Sequence, residues 1–310
     1  MGREHIMPAD RVHYRWDNSI RPVLEIEPGD VVIYDLREVS DGQITPAATA
    51  HDLPRLDMTR VYPLAGPIAV KGARPGDALE IEMLDLTAGS WGWSGISPGF
   101  GLLPEEATEP YLHIWDLSAG TAADLRPGIR IPLDPFCGTI GVAPETPGSH
   151  PVMPPGRFGG NMDIRHLTQG ATLFLPVGVD GALFSCGDPH AAQGDGEVCV
   201  SAIEAPMRAR LRFRLRKRFS IPGPQFSVAG PLTPKHDRRG YYATTGVAPD
   251  LMEATRAATR AMLDHLVRSY GLGRQEAYVL CSVAVDLKVS EVVDAPNWIV
   301  SAYLPLILFG

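Results

Sequence analysis

The stretch PGDVVIYDL (28–36) is answered further along the chain by PGDALEIEML (75–84). In each, Pro-Gly fixes a chain reversal and the apolar, partly β-branched residues that follow enter a strand. Looser copies stand at Pro127-Gly128 before IRIPL and at Gln169-Gly170 before ATLFLPV. Their spacing is too irregular for a solenoid. With 32 glycines and 29 prolines punctuating short Val/Ile/Leu runs, the chain reads as mainly β, a sandwich or a barrel. The run RARLRFRLRKR (208–218) alternates charge with Leu and Phe, which predicts a strand with one wet face, an anion site being the alternative.

The last third changes character. Asp250 and Glu253 form a predicted capping box, after which Leu251, Ala254, Ala258, Met262, Leu266 and Tyr270 fall at helical spacing up to a left-handed cap at Gly271. A second helix is expected from Arg274 to about Val285, and a β-rich tail, VVDAPNWIVSAYLPLIL, closes the chain. No composition shift cuts two domains, so residues 1–310 read as one, β-rich over 1–245 with the helical pair and closing β segment over 246–310. Residues 91–110 and 142–162 read as loops of the kind that line a site or a subunit contact.

Composition removes several functions. With 28 basic against 36 acidic residues and a net charge of −8, the chain lacks the basic footprint of a nucleic-acid partner. No apolar run approaches the ~20 residues needed to span a bilayer, and the N-terminus has no signal pattern. Four cysteines without a CxxC pair read as reduced thiols, which suits a cytoplasmic protein. GxSxG, Walker and HExxH motifs are all missing.

Chemistry concentrates in GDPHAAQGDGE (187–197). Asp188 and His190 are two apart, which on an extended segment places carboxylate and imidazole on one face, able to share a cation. Asp195 and Glu197 repeat the spacing between Gly194 and Gly196, whose freedom allows a path back over the first pair, and Glu204 follows. A divalent metal there would supply hydroxide at neutral pH while a carboxylate shuttles the proton to a leaving amine. The bland alternative is a polar hairpin. GGNMDIRH (159–166) offers Asp163 and His166 just before a strand, or an Asx-turn cap; Asp41-Gly42-Gln43 is explained by a turn, with only Gln43 hinting at amide recognition.

At these residues the sequence resembles the acetamidase/formamidase family. The matching blocks are DGQITP (41–46), PLAGPIAVKGARPGDALEIEM (63–83), PFCGTIGVAP (135–144), PPGRFGGNMD (154–163), LFLPVGVDGALFSCGDPHAAQGDGEVCVSAIE (173–204) and AYVLCSVAVDLKVSEVVDAPNWIVSAYLP (277–305). The resemblance implies a jelly-roll-like β-sandwich with added α/β elements, a homo-oligomer, and metal-assisted hydrolysis of short linear amides, with zinc the expected ion and calcium the alternative. Carried over by position, Asp163, Asp188 and His190 would be metal ligands with Asp41 in support. Glu197 or Glu204 would be the general base, with Asp195 a third candidate carboxylate, and Gln43 and Asn161 would bind the amide. Two positions depart from the pattern: Tyr62 stands where many relatives have His, with His51 and His166 as candidate replacements, and Gln193 where Met is usual. Two rival readings are a Cys186 nucleophile with His190 as its base, and a jelly-roll binding module that has lost turnover through Tyr62.

Overall fold

The computed structural model describes residues 2–232, 239–291 and 295–309. Among them, two six-stranded sheets enclose one apolar core. The first runs in the order Glu4–Ile6, Val31–Leu36, Met207–Arg216, Ala78–Ala88, Thr172–Pro176, Gln225–Ser227. The second runs Gly159–Asn161, Phe136–Gly141, Phe184–His190, Leu64–Val70, Val12–His13, with Leu24–Ile26 also paired to Leu64–Val70. From Val31–Leu36 through Leu64–Val70, Ala78–Ala88, Phe136–Gly141, Thr172–Pro176 and Phe184–His190 to Met207–Arg216, these longer strands alternate between the sheets, the crossing pattern of a jelly-roll-like sandwich. Period-two alternation drives the layering. Val32, Tyr34, Leu79, Ile81, Leu211 and Phe213 from one sheet meet Ile68, Val70, Ile140, Phe184 and Cys186 from the other.

The two Pro-Gly-Asp turns are built alike. Gly29 and Gly76 take φ of 103° and 90°, and each aspartate closes its own turn: the Glu27 amide donates to Asp30 Oδ2 at 3.0 Å, the Arg74 amide to Asp77 Oδ2 at 2.9 Å. Gly128 and Gly170 also take positive φ before their strands. The basic run is the expected half-wet strand, its arginines paired across to Asp35, Glu4, Glu82 and Glu80. Such half-exposed pairs contribute little stability each, about 0–1 kcal/mol, but favour one register.

A second core lies beside the sandwich. Helix α1 (Leu251–Tyr270) starts with the Glu253 amide donating to Asp250 Oδ1 at 3.0 Å and ends at Gly271 with φ 62°. Helix α2 spans Arg274–Ala284. Both pack with the three-stranded sheet Tyr241–Ala248, Trp298–Pro305, Asp286–Glu291, and the same core takes in Trp115, Leu125, Ile131 and Val198 from earlier in the chain. Residues 292–294 of the expected closing β segment lie outside the described residues.

One expectation is corrected. Trp91–Ile96, read as loop, is a strand paired with Tyr111–Asp116. Its glycines mark close approach rather than a turn: a Cβ on Gly92 would sit 2.6 Å from the Glu204 carbonyl oxygen, and one on Gly95 3.1 Å from Leu53. The 142–162 segment ends in the short strand Gly159–Asn161. Among the described residues no helix is long and apolar enough to cross a membrane.

Candidate active site

The strand Phe184–His190 starts in the core and ends in a polar cluster. Phe184 and Cys186 are wholly buried among apolar side chains, whereas Asp188, at φ 53°, breaks the regular pleat. His190 follows, its ring edge-on to Phe136. On the neighbouring strand Gly138 falls between the pairs Cys137–Pro189 and Thr139–Gly187, and so faces Asp188. A Cβ there would lie 2.6 Å from Asp163 Oδ1, 2.7 Å from His190 Cε1 and 2.9 Å from Asp188 Oδ2. The Gly138 carbonyl meanwhile accepts from the Met162 and Asp163 amides, which docks the loop carrying Asp163. Glu197 arrives on the turn after Gly196, and Glu204 by bridges to His190 and Trp93.

Four carboxylates thus surround one imidazole. His190 Nε2 stands 3.2 Å from Glu204 Oε2, 3.3 Å from Asp188 Oδ1 and 3.9 Å from Glu197 Oε1. Its other nitrogen is assigned by Gln193. The Gln193 Nε2 donates to the Asp163 carbonyl at 2.9 Å, so its Oε1, 3.0 Å away, accepts from His190 Nδ1–H. A neutral His190 therefore presents an Nε2 lone pair to the carboxylates. Asn161 Nδ2 donates to Asp163 Oδ2, and the Thr139 hydroxyl donates to Asn161 Oδ1 at 2.5 Å, with Asp188 Oδ2 also 3.2 Å from it.

Among the described residues no Lys or Arg pairs with Asp163, Asp188, Glu197 or Glu204. Burial and then the Asp188 charge push Asp163 up to about 7. Burial raises Glu204, and burial with the Asp163 charge raises Glu197 well above the carboxylate range. Burial opposes a charge on His190, but Glu204 and Asp188 outweigh it and favour the imidazolium strongly. Asp163 Oδ1 and Glu204 Oε2 are buried without a directed hydrogen bond. Crowded anions, orphaned oxygens, an imidazole lone pair and a cradle kept open by Gly138 fit a divalent cation. Two groups can hold one, Asp163–His190–Glu197 and Asp188–His190–Glu204, with ligand atoms within 4.8 Å in each.

The other sequence candidates lie elsewhere. Asp195 turns away to Arg165 at 3.0 Å and Lys288 at 3.5 Å. Asp41 belongs to neither ligand group; its oxygens accept from the Tyr14 hydroxyl, Arg37 and Arg60 at 2.7–2.8 Å. The amide of Gln43 is spent on the Ser40 and Asp57 backbone. His166 faces the Leu232 carbonyl and His51 is exposed on a short 3-10 helix, so neither replaces a histidine at Tyr62. The Cys186 thiol is solvent-free, and burial followed by Cys137 pushes it well above its usual range, contrary to a nucleophile. Sequence reasoning missed Gly138, whose signal is a lone glycine inside the apolar strand FCGTIG, and buried Glu38, which holds the Trp93 indole, Ser40 and Gly42.

A cavity of about 440 Å³ opens onto the cluster. Asp188, Glu197, Glu204 and Asn161 line its polar side, and Tyr62 and Trp93, though not Trp91, border it. Burial, then the Asp188, Glu197, Asp163 and Glu204 charges, keep the Tyr62 phenol protonated. Asp163, Asp188, Glu197 and Tyr62 all hold left-handed backbone, φ 43–64°, a strained setting that concentrates at functional sites.

The sequence matches the acetamidase/formamidase family over residues 3–150 and 148–310. It is 26% identical to a formamidase of Methylophilus methylotrophus over 96% of this chain and 89% of that protein. Its structure is similar to a gamma lactamase from Delftia acidovorans, with TM-score 0.91, 28% identity and coverage of 99% and 93% of the two chains. An acetamidase of Bacillus halodurans matches at TM-score 0.70 and 33% identity over 98% of each chain. A fold, a cluster and a sequence match that each run through the same strands lead to one conclusion: the chain belongs to the acetamidase/formamidase family.

Proposed function

We propose that the chain hydrolyses the C–N bond of a small linear carboxamide, of the acetamide or formamide kind, to the carboxylic acid and ammonia. One observation carries the reading: a buried imidazole ringed by four carboxylates at the end of a cavity, with two of their oxygens orphaned. Asp163, Asp188 and His190, the three side chains that meet over Gly138 and are drawn from the two groups sharing His190, would hold a divalent cation, zinc in preference to calcium because a nitrogen is among the donors. When bound, such an ion lowers the pKa of water towards neutrality and polarises a carbonyl.

The remaining work falls to side chains. Glu197, partly buried at the polar end of the cavity and 3.9 Å from His190 Nε2, is assigned the transfer of a proton from water to the leaving nitrogen, with Glu204 next to it as the alternative. Gln193 keeps the His190 Nδ1 proton in place, and Asn161 steadies Asp163. Tyr62 brings a phenol that stays protonated to the cavity wall. No role in amide binding is assigned to Gln43. The likeness to a gamma lactamase favours a γ-lactam as a second substrate, since ring opening breaks the same bond without releasing ammonia. The four cysteines, all buried free thiols, suit the cytoplasm, where we place a homo-oligomer.

Metal content of the purified protein, with product formation from short amides and a γ-lactam, tests the proposal. Stripping the metal should abolish turnover. Full activity in metal-free protein would refute the metal-assisted route, and ligand binding without turnover of any substrate would favour a binding module.

A further inference from the structure

We infer that the acyl half of the substrate is an uncharged, bulky apolar group, branched or aromatic, seated against Leu53, Met58, Trp93, Phe100, Met153 and Val200. This rests on the amide-hydrolysis reading above, keeping its C–N bond cleavage and enlarging the acetamide-sized acyl group. These six side chains line the same cavity as Asp188, Glu197 and Glu204, which gives it a polar end and an apolar wall.

Three observations converge. The first is size. Acetamide has four heavy atoms, and at a water's share of ~30 Å³ each it fills about 120 Å³. The cavity holds about 440 Å³. The remaining space accepts roughly ten further carbon atoms on the same scale. The second is exposure. Met58, Phe100, Met153 and Val200 are large apolar side chains left open to solvent, and they reach the rim from four separate segments. Convergence of this kind marks a binding surface more than scattered exposed residues do. Val200 holds its place at φ 70°, a conformation β-branched residues rarely adopt. The third is charge. Among the described residues no Lys, Arg or His lines the cavity, while three carboxylates do. The apolar wall, away from the polar end, therefore offers no counter-ion to an acyl group that carries a carboxylate.

The test is kcat/KM for ammonia release along the series acetamide, butanamide, 3-methylbutanamide, cyclohexanecarboxamide and phenylacetamide, with succinamate as the charged member. Binding of acetamide and phenylacetamide is measured by calorimetry on the same preparation. Each added buried methylene should raise kcat/KM about three- to four-fold, and succinamate should be the poorest substrate. Phe100→Ala should lower the phenylacetamide-to-acetamide ratio about ten-fold, and Leu53→Ala should shift it in the same direction. A series that is flat or falls beyond acetamide overturns the inference while leaving amide hydrolysis intact. If no amide is turned over, hydrolysis fails; tighter binding of phenylacetamide than of acetamide then still supports the apolar seat, and equal or absent binding overturns it.

Discussion

Adding one methyl group at Gly138 should disable the site while sparing the fold. Gly138 carries no left-handed φ, so alanine's backbone is allowed and the effect comes from the new Cβ alone. That carbon would meet Asp163 Oδ1 at 2.6 Å, His190 Cε1 at 2.7 Å and Asp188 Oδ2 at 2.9 Å, where ordinary contact begins at 3.4 Å. The three groups must therefore retreat by about 0.5–0.8 Å. A catalytic constellation tolerates about 0.5 Å, and displacement near 1 Å costs on the order of 100-fold in rate. Overpacking of this kind costs about 1–3 kcal/mol, a fall of several degrees in Tm for a chain of this size. We expect Gly138→Ala to lose about 30- to 100-fold in kcat/KM and most of its metal, read by product formation and elemental analysis, with the circular-dichroism spectrum preserved. Gly223→Ala, where a Cβ meets nothing within 4 Å, is the control and should stay within two-fold. A Gly138→Ala protein with normal metal content and turnover would show that these three residues do not act together.

Gln193→Met removes the acceptor that holds the His190 Nδ1 proton, and should weaken metal affinity or activity by about 10- to 100-fold, measured by competition with a chelator. Cys186→Ala should keep wild-type kcat/KM, with a loss in stability of about 1 kcal/mol by denaturant titration; loss of turnover in a folded variant would restore the thiol mechanism. Asp41→Asn should cost about 1–3 kcal/mol at neutral pH, because burial disfavours its charge but Arg37 and Arg60 outweigh burial and lower its pKa. A depressed carboxylate stabilises the fold above its unfolded value near 3.9 and loses that contribution as pH falls through its folded value, so the variant should show a shallower decline in Tm below about pH 4 than the wild type.

Features governed by neighbouring residues were legible in the sequence. The Pro-Gly-Asp turns, the Asp250 cap and Gly271 stop of α1, and the half-wet arginine strand depend on chemistry within a few positions. The closeness of Asp188 and His190 was legible from their spacing, although the left-handed backbone at Asp188 departs from the regular pleat on which that expectation rests. What the sequence left open depends on distant partners. Asp195 and Glu197 show the same spacing in one short segment, yet Arg165 and Lys288 draw Asp195 away while Glu197 turns in at φ 43°. Asp163 reaches the cluster because the Gly138 carbonyl anchors its loop, and no local pattern records that contact. Trp91–Ile96 misled because glycine needed for close packing reads in sequence as glycine needed for a turn.

The left-handed backbone at Tyr62, Asp163, Asp188, Glu197 and Val200 also bears on how this protein would respond to engineering. Each such residue lowers fold stability by on the order of 1 kcal/mol relative to glycine in the same conformation. A screen that rewards heat resistance alone would therefore admit Glu197→Gly, and such survivors would be inert. Thermostability selection on this scaffold needs turnover as a co-selected trait, because five of the nine left-handed non-glycine residues among the described residues belong to the site or its cavity wall.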